Sequence, residues 1–185
     1  MKIPFNDFIS RCSKSLREAK IGYVAVGLDD MREFRKKYPR VLCVQADGCA
    51  LPFKNDALAV AFSNAVLEHI SVSKQLHFVE EISRAACHEV VLAVPDRLSP
   101  IEIHSRIFFL HWLPIWRQLY RKLGEYYWSS EQNLAVIFSR KTLASLLQKN
   151  PICGCWKIER QFFLFIPVSL IAIFSKDHHA YRNIM

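Results

Sequence analysis

The sequence predicts an α/β fold with a mostly parallel sheet and an antiparallel hairpin at its C-terminal side. From residue 23 to residue 94, short apolar runs alternate with segments of helical periodicity, a pattern typical of strands joined by right-handed crossovers. The run 57–62 is almost wholly apolar, as expected for a strand buried on both faces of a parallel sheet. Two later runs, 157–164 and 169–174, surround Pro167 and predict a hairpin at one sheet edge.

The individual elements follow from apolar spacing and from residues that cap or break them. Asn6 or Asp7 can cap the first helix, and Ser139 can cap the last. In the helix 72–86 the apolar residues share one face, and we expect Glu80, Glu81 and Arg84 to point outward. The predicted helices are 7–20, 31–38, 72–86 and 139–150, and the other predicted strands are 23–28, 41–46 and 89–94.

Length and composition favour one globular domain, spanning residues 1–185. The chain has 185 residues, of which 51% are hydrophobic, enough to bury a core. Residues 96–138 interrupt the strand–helix alternation with an aromatic-rich insertion, which we interpret as a lid over a substrate pocket. No apolar run reaches the length of a membrane span, and the polar start MKIPFNDF does not resemble a signal peptide.

The stretch from Val41 to Ile70 carries the most specific motif in the chain. It combines a strand, an acidic turn, the loop of QADGCALPFKND, a second strand, and the helix start in SNAVLEHI. This order of residues resembles the class I S-adenosylmethionine-dependent methyltransferases. The resemblance covers most of residues 7–175 and implies a Rossmann-like sheet and S-adenosylmethionine as the cofactor.

The resemblance also implies cofactor-binding residues at the strand ends, where open α/β sheets bind ligands. By this resemblance, Asp29 is the acid that accepts hydrogen bonds from both ribose hydroxyls. Asp47 is the acid that faces the adenine amino group, with the Gly48 backbone alongside. Ser63 and Asn64 then lie near the sulfonium and the transferred methyl group. From the residues alone, Asp29 or Asp30 can instead cap the next helix, and Asp47-Gly48 can be an ordinary turn.

Methyl transfer requires alignment more than acid–base chemistry, because the cofactor's sulfonium is already activated. We therefore predict no catalytic base. His69 and His104 are weaker candidates for contact with the methyl acceptor, which we expect to be a small molecule or a lipid-linked compound. For His69 the alternative is a histidine held by a backbone carbonyl at a helix start.

The chain departs from the family in its glycines. Relatives begin with a strand and a glycine-rich turn that carries the methionine end of the cofactor. None of the five glycines here forms a G-x-G pair, and the helix 7–20 resembles the helix that follows that turn. The first strand and its loop are therefore expected to be absent, which leaves two inner strand edges without their usual neighbour and could impair catalysis.

Two other functions remain open: a non-catalytic fold remnant or partner-dependent module, and a peripheral membrane protein. The net charge of +8 suits anionic partners, and Ile107–Leu123 mixes aromatic and basic residues as interfacial segments do. We predict a cytoplasmic protein with reduced thiols, possible contact with an anionic membrane surface, and no specific nucleic-acid partner. A zinc site built from Cys153, Cys155 and the tail histidines lacks the usual ligand spacing, so we predict no metal.

Overall fold

The computed structural model describes residues 21–101, 107–123 and 134–176. The predicted helix 7–20 and the candidate residue His104 lie outside these ranges. The chain divides into two compact units, with the boundary between Gly48 and Cys49, and each is described by itself. The single-domain interpretation and the lid at 96–138 stay predictions.

The first unit is a strand–helix–strand motif. Strand β1 (Val24–Gly27) leads into helix α1 (Arg32–Lys37), and strand β2 (Leu42–Gln45) lies parallel to β1. The small core between them consists of Ala25, Val41 and Cys43, with Tyr23, Met31, Phe34 and Tyr38 packed against it. The strand–helix–strand order predicted for residues 23–46 is therefore confirmed.

The second unit contains a four-stranded mixed sheet. Its elements are β3 (Leu58–Asn64), α2 (Val72–Ala85), β4 (Ala86–Pro95), α3 (Trp116–Lys122), α4 (Arg140–Gln148), β5 (Cys153–Phe163) and β6 (Ile166–Lys176), with short 3-10 turns at Leu67–His69 and Leu110–Trp112. The strand order is β3-β4-β6-β5, in which β3 and β4 are parallel while β6 is antiparallel to both of its neighbours. The predicted α/β class and the C-terminal hairpin are confirmed.

Helices α2 and α4 pack against this sheet through their apolar residues. Phe78, Val79 and Ile82 of α2 join Leu143 and Leu147 of α4 in one buried cluster with the central strands. Burial of such side chains contributes about 1.5–3 kcal/mol each. The predicted amphipathic pattern of the helix 72–86 is confirmed.

The predicted cap of the last helix is also confirmed. The Ser139 hydroxyl accepts a hydrogen bond from the Thr142 backbone N–H at 3.2 Å, and the Ser139 backbone N–H donates to the Thr142 hydroxyl at 2.9 Å. This reciprocal capping box satisfies two backbone donors and fixes where α4 begins.

Strand β3 corrects one prediction. It was expected to be buried on both faces, but Val60 is 52% exposed and Phe62 is 42% exposed. The reason is its position at the edge of the four-stranded sheet, where only β4 pairs with it. Within the described residues β1 likewise pairs only with β2, so the two sheets share no strand pairing. In the family, one strand lies between the counterparts of β1 and β3. This is the strand that the resemblance predicts to be missing here.

The hairpin turn also differs from its prediction. We expected the chain to turn around Pro167, but the turn lies at Leu164 and Phe165, and Pro167 is part of β6. Pro167 pairs with Phe162 of β5, beyond the last residue of β6 that pairs with β4. A residue without an N–H is tolerated there because no β4 partner is lost.

Candidate functional site

The two carboxylates predicted to hold the nucleoside follow neighbouring parallel strands. Gly27 of β1 is paired in register with Gln45 of β2, so Asp29 and Asp47 each lie two residues beyond a paired position. Two hydrogen bonds tie the strand ends together: the Ala46 N–H donates to the Gly27 carbonyl at 2.9 Å, and the Gln45 side-chain amide donates to the Leu28 carbonyl at 3.2 Å. Both aspartates are exposed at the same edge of the two-stranded sheet.

Asp30, and not its neighbour, makes the side-chain contact with the first turn of α1, whose N-cap residue is Met31. The Asp30 carboxylate accepts a hydrogen bond from the Arg32 backbone N–H at 2.9 Å and pairs with the Arg32 guanidinium at 2.6 Å. Asp30 therefore performs the structural function that was the alternative reading of Asp29. The role of Asp29 as a ligand stays a prediction.

In the second unit, Ser63 and Asn64 occupy the carboxyl end of β3, paired with Leu92 and Ala93 of β4. The next residue, Ala65, has a positive φ of 53°, which is uncommon for a residue with a Cβ. Its N–H donates to the Ala93 carbonyl at 2.9 Å, which holds this strained turn. Both candidate side chains are half-buried, and a constrained backbone at a strand end is typical of a ligand-facing position.

His69 lies in the 3-10 turn that follows, beside a buried acid. Its Nε2 is 3.9 Å from Oε1 of Glu68, whose side chain is almost fully buried. The Glu68 carbonyl accepts hydrogen bonds from the N–H groups of Ala135 and Val136 at 2.8 and 3.3 Å, so the turn is fixed against residues 134–138. Contact between His69 and an acceptor stays a prediction, as does that of His104, which lies outside the described residues.

The loop that contains Leu51-Pro52-Phe53, here called the LPF motif, is held by an ion pair that the sequence had placed on the surface. Glu81 and Arg84 were expected to point outward, but their carboxylate and guanidinium are 2.7 Å apart and largely shielded from solvent. The Arg84 guanidinium donates to the carbonyls of Leu51 and Phe53, at 3.3 and 2.8 Å, and to the Asn55 side chain at 2.8 Å.

Glu81 completes this arrangement by accepting from the Leu51 N–H at 2.9 Å. The hydrogen bond from Arg84 holds the pKa of the Glu81 carboxyl below its ordinary value, against the opposing effect of burial. The motif loop is therefore held by α2.

A third strand-end carboxylate, Asp96, was not recognised as important from sequence. It follows β4, is almost fully buried, and forms an ion pair with Arg160 of β5. It also accepts from the Leu98 N–H at 3.0 Å. The two partners are 64 residues apart, so no local pattern could connect them.

The aromatic segment 107–123 has a buried and an exposed part. Tyr120 is buried with Leu134, and Trp116 packs edge-on against Tyr120 with ring centroids 5.2 Å apart. These rings therefore do not form the interfacial face expected from the sequence. Most of the exposed apolar residues precede α3, namely Phe108, Phe109, Trp112, Leu113 and Ile115, whereas Leu123 follows it.

Neither metal chemistry nor a membrane span is supported by the described residues. Within residues 21–101, 107–123 and 134–176, no cluster of three His, Cys, Asp or Glu side chains has a geometry that suits a metal ion. Burial, with a smaller contribution from Cys155, raises the pKa of the Cys153 thiol to about 11, which disfavours a thiolate ligand at neutral pH. No helix in these ranges is both long and apolar enough to cross a bilayer.

Comparison with known proteins supports the fold. The family model described as "Methyltransferase domain" matches residues 11–94. A methyltransferase from Archaeoglobus fulgidus, described as SAM-dependent, superimposes with a TM-score of 0.60 at 11% identity, covering 89% of this chain and 80% of that chain. The chain has no match among the curated proteins.

Two further solved structures are similar. A Thermotoga maritima protein described as a possible histamine N-methyltransferase has a TM-score of 0.55 and 14% identity, covering 89% of this chain and 76% of that one. The 1,6-didemethyltoxoflavin-N1-methyltransferase of Burkholderia thailandensis, solved with 1,6-didemethyltoxoflavin and S-adenosylhomocysteine, has a TM-score of 0.59 and 15% identity, covering 90% and 66%. At these identities the likeness concerns the fold.

The fold is that of the class I S-adenosylmethionine-dependent methyltransferases. The model of a methyltransferase domain matches residues 11–94, so the resemblance predicted from the sequence is confirmed.

Proposed function

We propose that this chain is an S-adenosylmethionine-dependent methyltransferase that holds the nucleoside of its cofactor through Asp29 and Asp47. The observation that carries the proposal is their placement, two residues beyond a paired position on adjacent parallel strands. Ligands of open α/β sheets bind beyond such strand ends. Because Asp30 already accepts from the Arg32 N–H at the start of α1, Asp29 is not needed for that role.

The chemistry of these residues fits the nucleoside part of the cofactor. Ribose hydroxyls and the adenine amino group are hydrogen-bond donors, and an ionised carboxylate is purely an acceptor. Both aspartates are exposed, so a ligand can reach their carboxylates from solvent. The Gly48 backbone would lie beside the adenine.

The bound cofactor would supply an activated methyl group on a sulfonium, and the protein would supply binding and alignment. In this proposal Ser63 and Asn64 lie near that group, and His69 and His104 contact the acceptor. The acceptor class is a small molecule or a lipid-linked compound. The Burkholderia neighbour, solved with 1,6-didemethyltoxoflavin, supports the first.

Thermal unfolding of the full chain with S-adenosylmethionine or S-adenosylhomocysteine tests the proposal. A ligand at one hundred times its Kd stabilises the folded state by about 2.7 kcal/mol, which raises the unfolding midpoint by several degrees. We expect such a rise with both compounds and none with methionine alone, which lacks the nucleoside. A folded protein whose midpoint does not move at about 1 mM of either compound would refute the proposal.

A second candidate is a non-catalytic module of the same fold that needs a partner. The break between the two sheets favours it, because β1 and β3 each have only one strand partner among the described residues. An exposed strand edge is a site for pairing with another chain. This candidate predicts cooperative unfolding with no response to either cofactor form, so the same experiment separates the two.

A further inference from the structure

The β5–β6 hairpin ends in an exposed apolar tip, formed by the five residues Phe162–Ile166. Phe163 is 66% exposed, Leu164 is 74% exposed and Phe165 is 97% exposed. Contiguous exposed apolar residues on this scale mark interaction sites in soluble folds. The tip overhangs the sheet, because β6 pairs with β4 only from Ser169 onward.

The turn itself is built from residues that its backbone disfavours. Leu164 and Phe165 both have positive φ, 46° and 67°, the conformation of a two-residue type I′ turn. That turn strongly prefers Asn-Gly or Asp-Gly, because bulky side chains are strained at positive φ. Two large apolar side chains therefore occupy positions where a polar pair would fold more easily, which indicates that their apolar character serves a purpose outside the fold.

A second exposed apolar group lies at the same end of the sheet. The indole N–H of Trp112 donates to the Arg97 carbonyl at 2.8 Å, and Arg97 is the second residue after the end of β4. Residue 96 is in turn joined to β6, since its N–H donates to the Val168 carbonyl at 3.2 Å. Phe109 packs edge-on against Trp112, with ring centroids 5.0 Å apart. The aromatic turn (residues 108–113) and the hairpin tip therefore border the same carboxyl end of β4.

The charged residues within these two segments have one sign, and Asp96, the acid at this end of β4, is buried and paired with Arg160. Neither residues 107–123 nor residues 160–176 contain an acidic residue, and the whole chain carries +8. Arg121 and Lys122 at the end of α3 are exposed. Basic residues beside an apolar surface are attracted to anionic lipid headgroups.

We propose that the hairpin tip, with the aromatic turn beside it, docks the protein on an anionic lipid bilayer. A projecting turn fits a deformable apolar phase, whereas a protein partner would need a matching pocket. The tip inserts between acyl chains while Arg121 and Lys122 remain at the headgroups. This inference rests on exposure, turn geometry and charge, and does not depend on methyl transfer.

Co-sedimentation of the full chain with vesicles tests the proposal. The vesicles are phosphatidylcholine alone or phosphatidylcholine with about 30% phosphatidylserine, because the anionic lipid provides the surface potential. We expect binding to the mixed vesicles that weakens in high salt. The double variant Leu164→Asn/Phe165→Gly restores the preferred turn chemistry, so its unfolding midpoint should not fall, yet its binding should weaken at least about tenfold.

Three further variants make the test specific. Phe165→Ser removes only the most exposed side chain and should also weaken binding, whereas Val60→Thr, an exposed apolar residue on β3, should not. Arg121→Gln/Lys122→Gln should abolish the preference for anionic vesicles.

Absence of wild-type binding to the mixed vesicles, or equal binding by the turn variant, would overturn the proposal. A wild-type dimer that the turn variant converts to a monomer, with no vesicle binding by either, would show that the tip contacts a second copy instead.

Discussion

Among the strands that the structure describes, three are followed by an aspartate, and the environments of these aspartates differ. Asp96, after β4, is buried and paired with Arg160, whereas Asp29 and Asp47, after β1 and β2, are exposed. The comparison shows that an acid at a strand end can either hold the fold together or face solvent where a ligand can reach it. Burial distinguishes the two cases, and it is not visible in the local sequence.

The largest effect should come from breaking the buried pair. Arg160→Met leaves the Asp96 carboxylate buried without its partner, and should lower the free energy of unfolding by about 3 kcal/mol. Chemical denaturation at neutral pH measures it. The control lies on the same strand: Lys157 pairs with Glu159 at the surface, so Lys157→Met should cost less than about 0.5 kcal/mol. Similar losses in both variants would show that Asp96 is not the structural member of the three.

A smaller loss should follow from the pair that holds the motif loop. Arg84→Met removes hydrogen bonds to the carbonyls of Leu51 and Phe53, and should cost about 2 kcal/mol. The exposed pair of Glu33 and Lys36 provides the control, since Lys36→Met should have almost no effect.

The same pair should also appear in the acid dependence of stability. Because the folded state lowers the pKa of Glu81 from its ordinary 4.5, its contribution is present above that value and is lost as pH falls through the lower, folded-state pKa. The variant Arg84→Met should therefore lose less stability on acidification than the wild type. An equal loss in both proteins would contradict the assignment.

The smallest effect concerns reactivity. Burial raises the pKa of the Cys153 thiol to about 11, so it is protonated at pH 8 while Cys155 is exposed. Alkylation followed by peptide mass analysis should label Cys155 first at pH 8.

Since the folded state retains the Cys153 proton, the free energy of unfolding should decline as pH rises from 9 toward 11. If Cys153 were labelled faster than Cys155 in the folded protein, Cys153 would not be shielded as the structure shows.

Sequence reasoning located most elements because their periodicity is local. Helix α2 and strands β1, β2 and β4 each have a clear apolar pattern and a recognisable end. It failed where the answer depends on distant neighbours. The apolar run of β3 indicated burial, but its pairing on one side only leaves Val60 exposed.

The same limit applies to the candidate site. Asp47 and the LPF loop could be recognised because they belong to one contiguous motif, and Asp29 because it follows the end of a predicted strand. The partners of that loop, Glu81 and Arg84, were not, since their helical spacing is equally compatible with an outward-facing ion pair. The hairpin turn was missed because Leu164 and Phe165 carry no turn chemistry.

The most direct test of the central claim compares two adjacent aspartates. Isothermal titration with S-adenosylhomocysteine would be performed on the wild type and on the variants Asp29→Ala and Asp30→Ala. Loss of hydrogen bonds to a charged acceptor costs about 1.5–3 kcal/mol, so Asp29→Ala should weaken binding by about 10- to 100-fold. Asp30→Ala, which removes only the contacts to Arg32, should leave affinity unchanged within about twofold. Equal affinities for the two variants, or a larger loss for Asp30→Ala, would contradict a nucleoside held at the ends of β1 and β2.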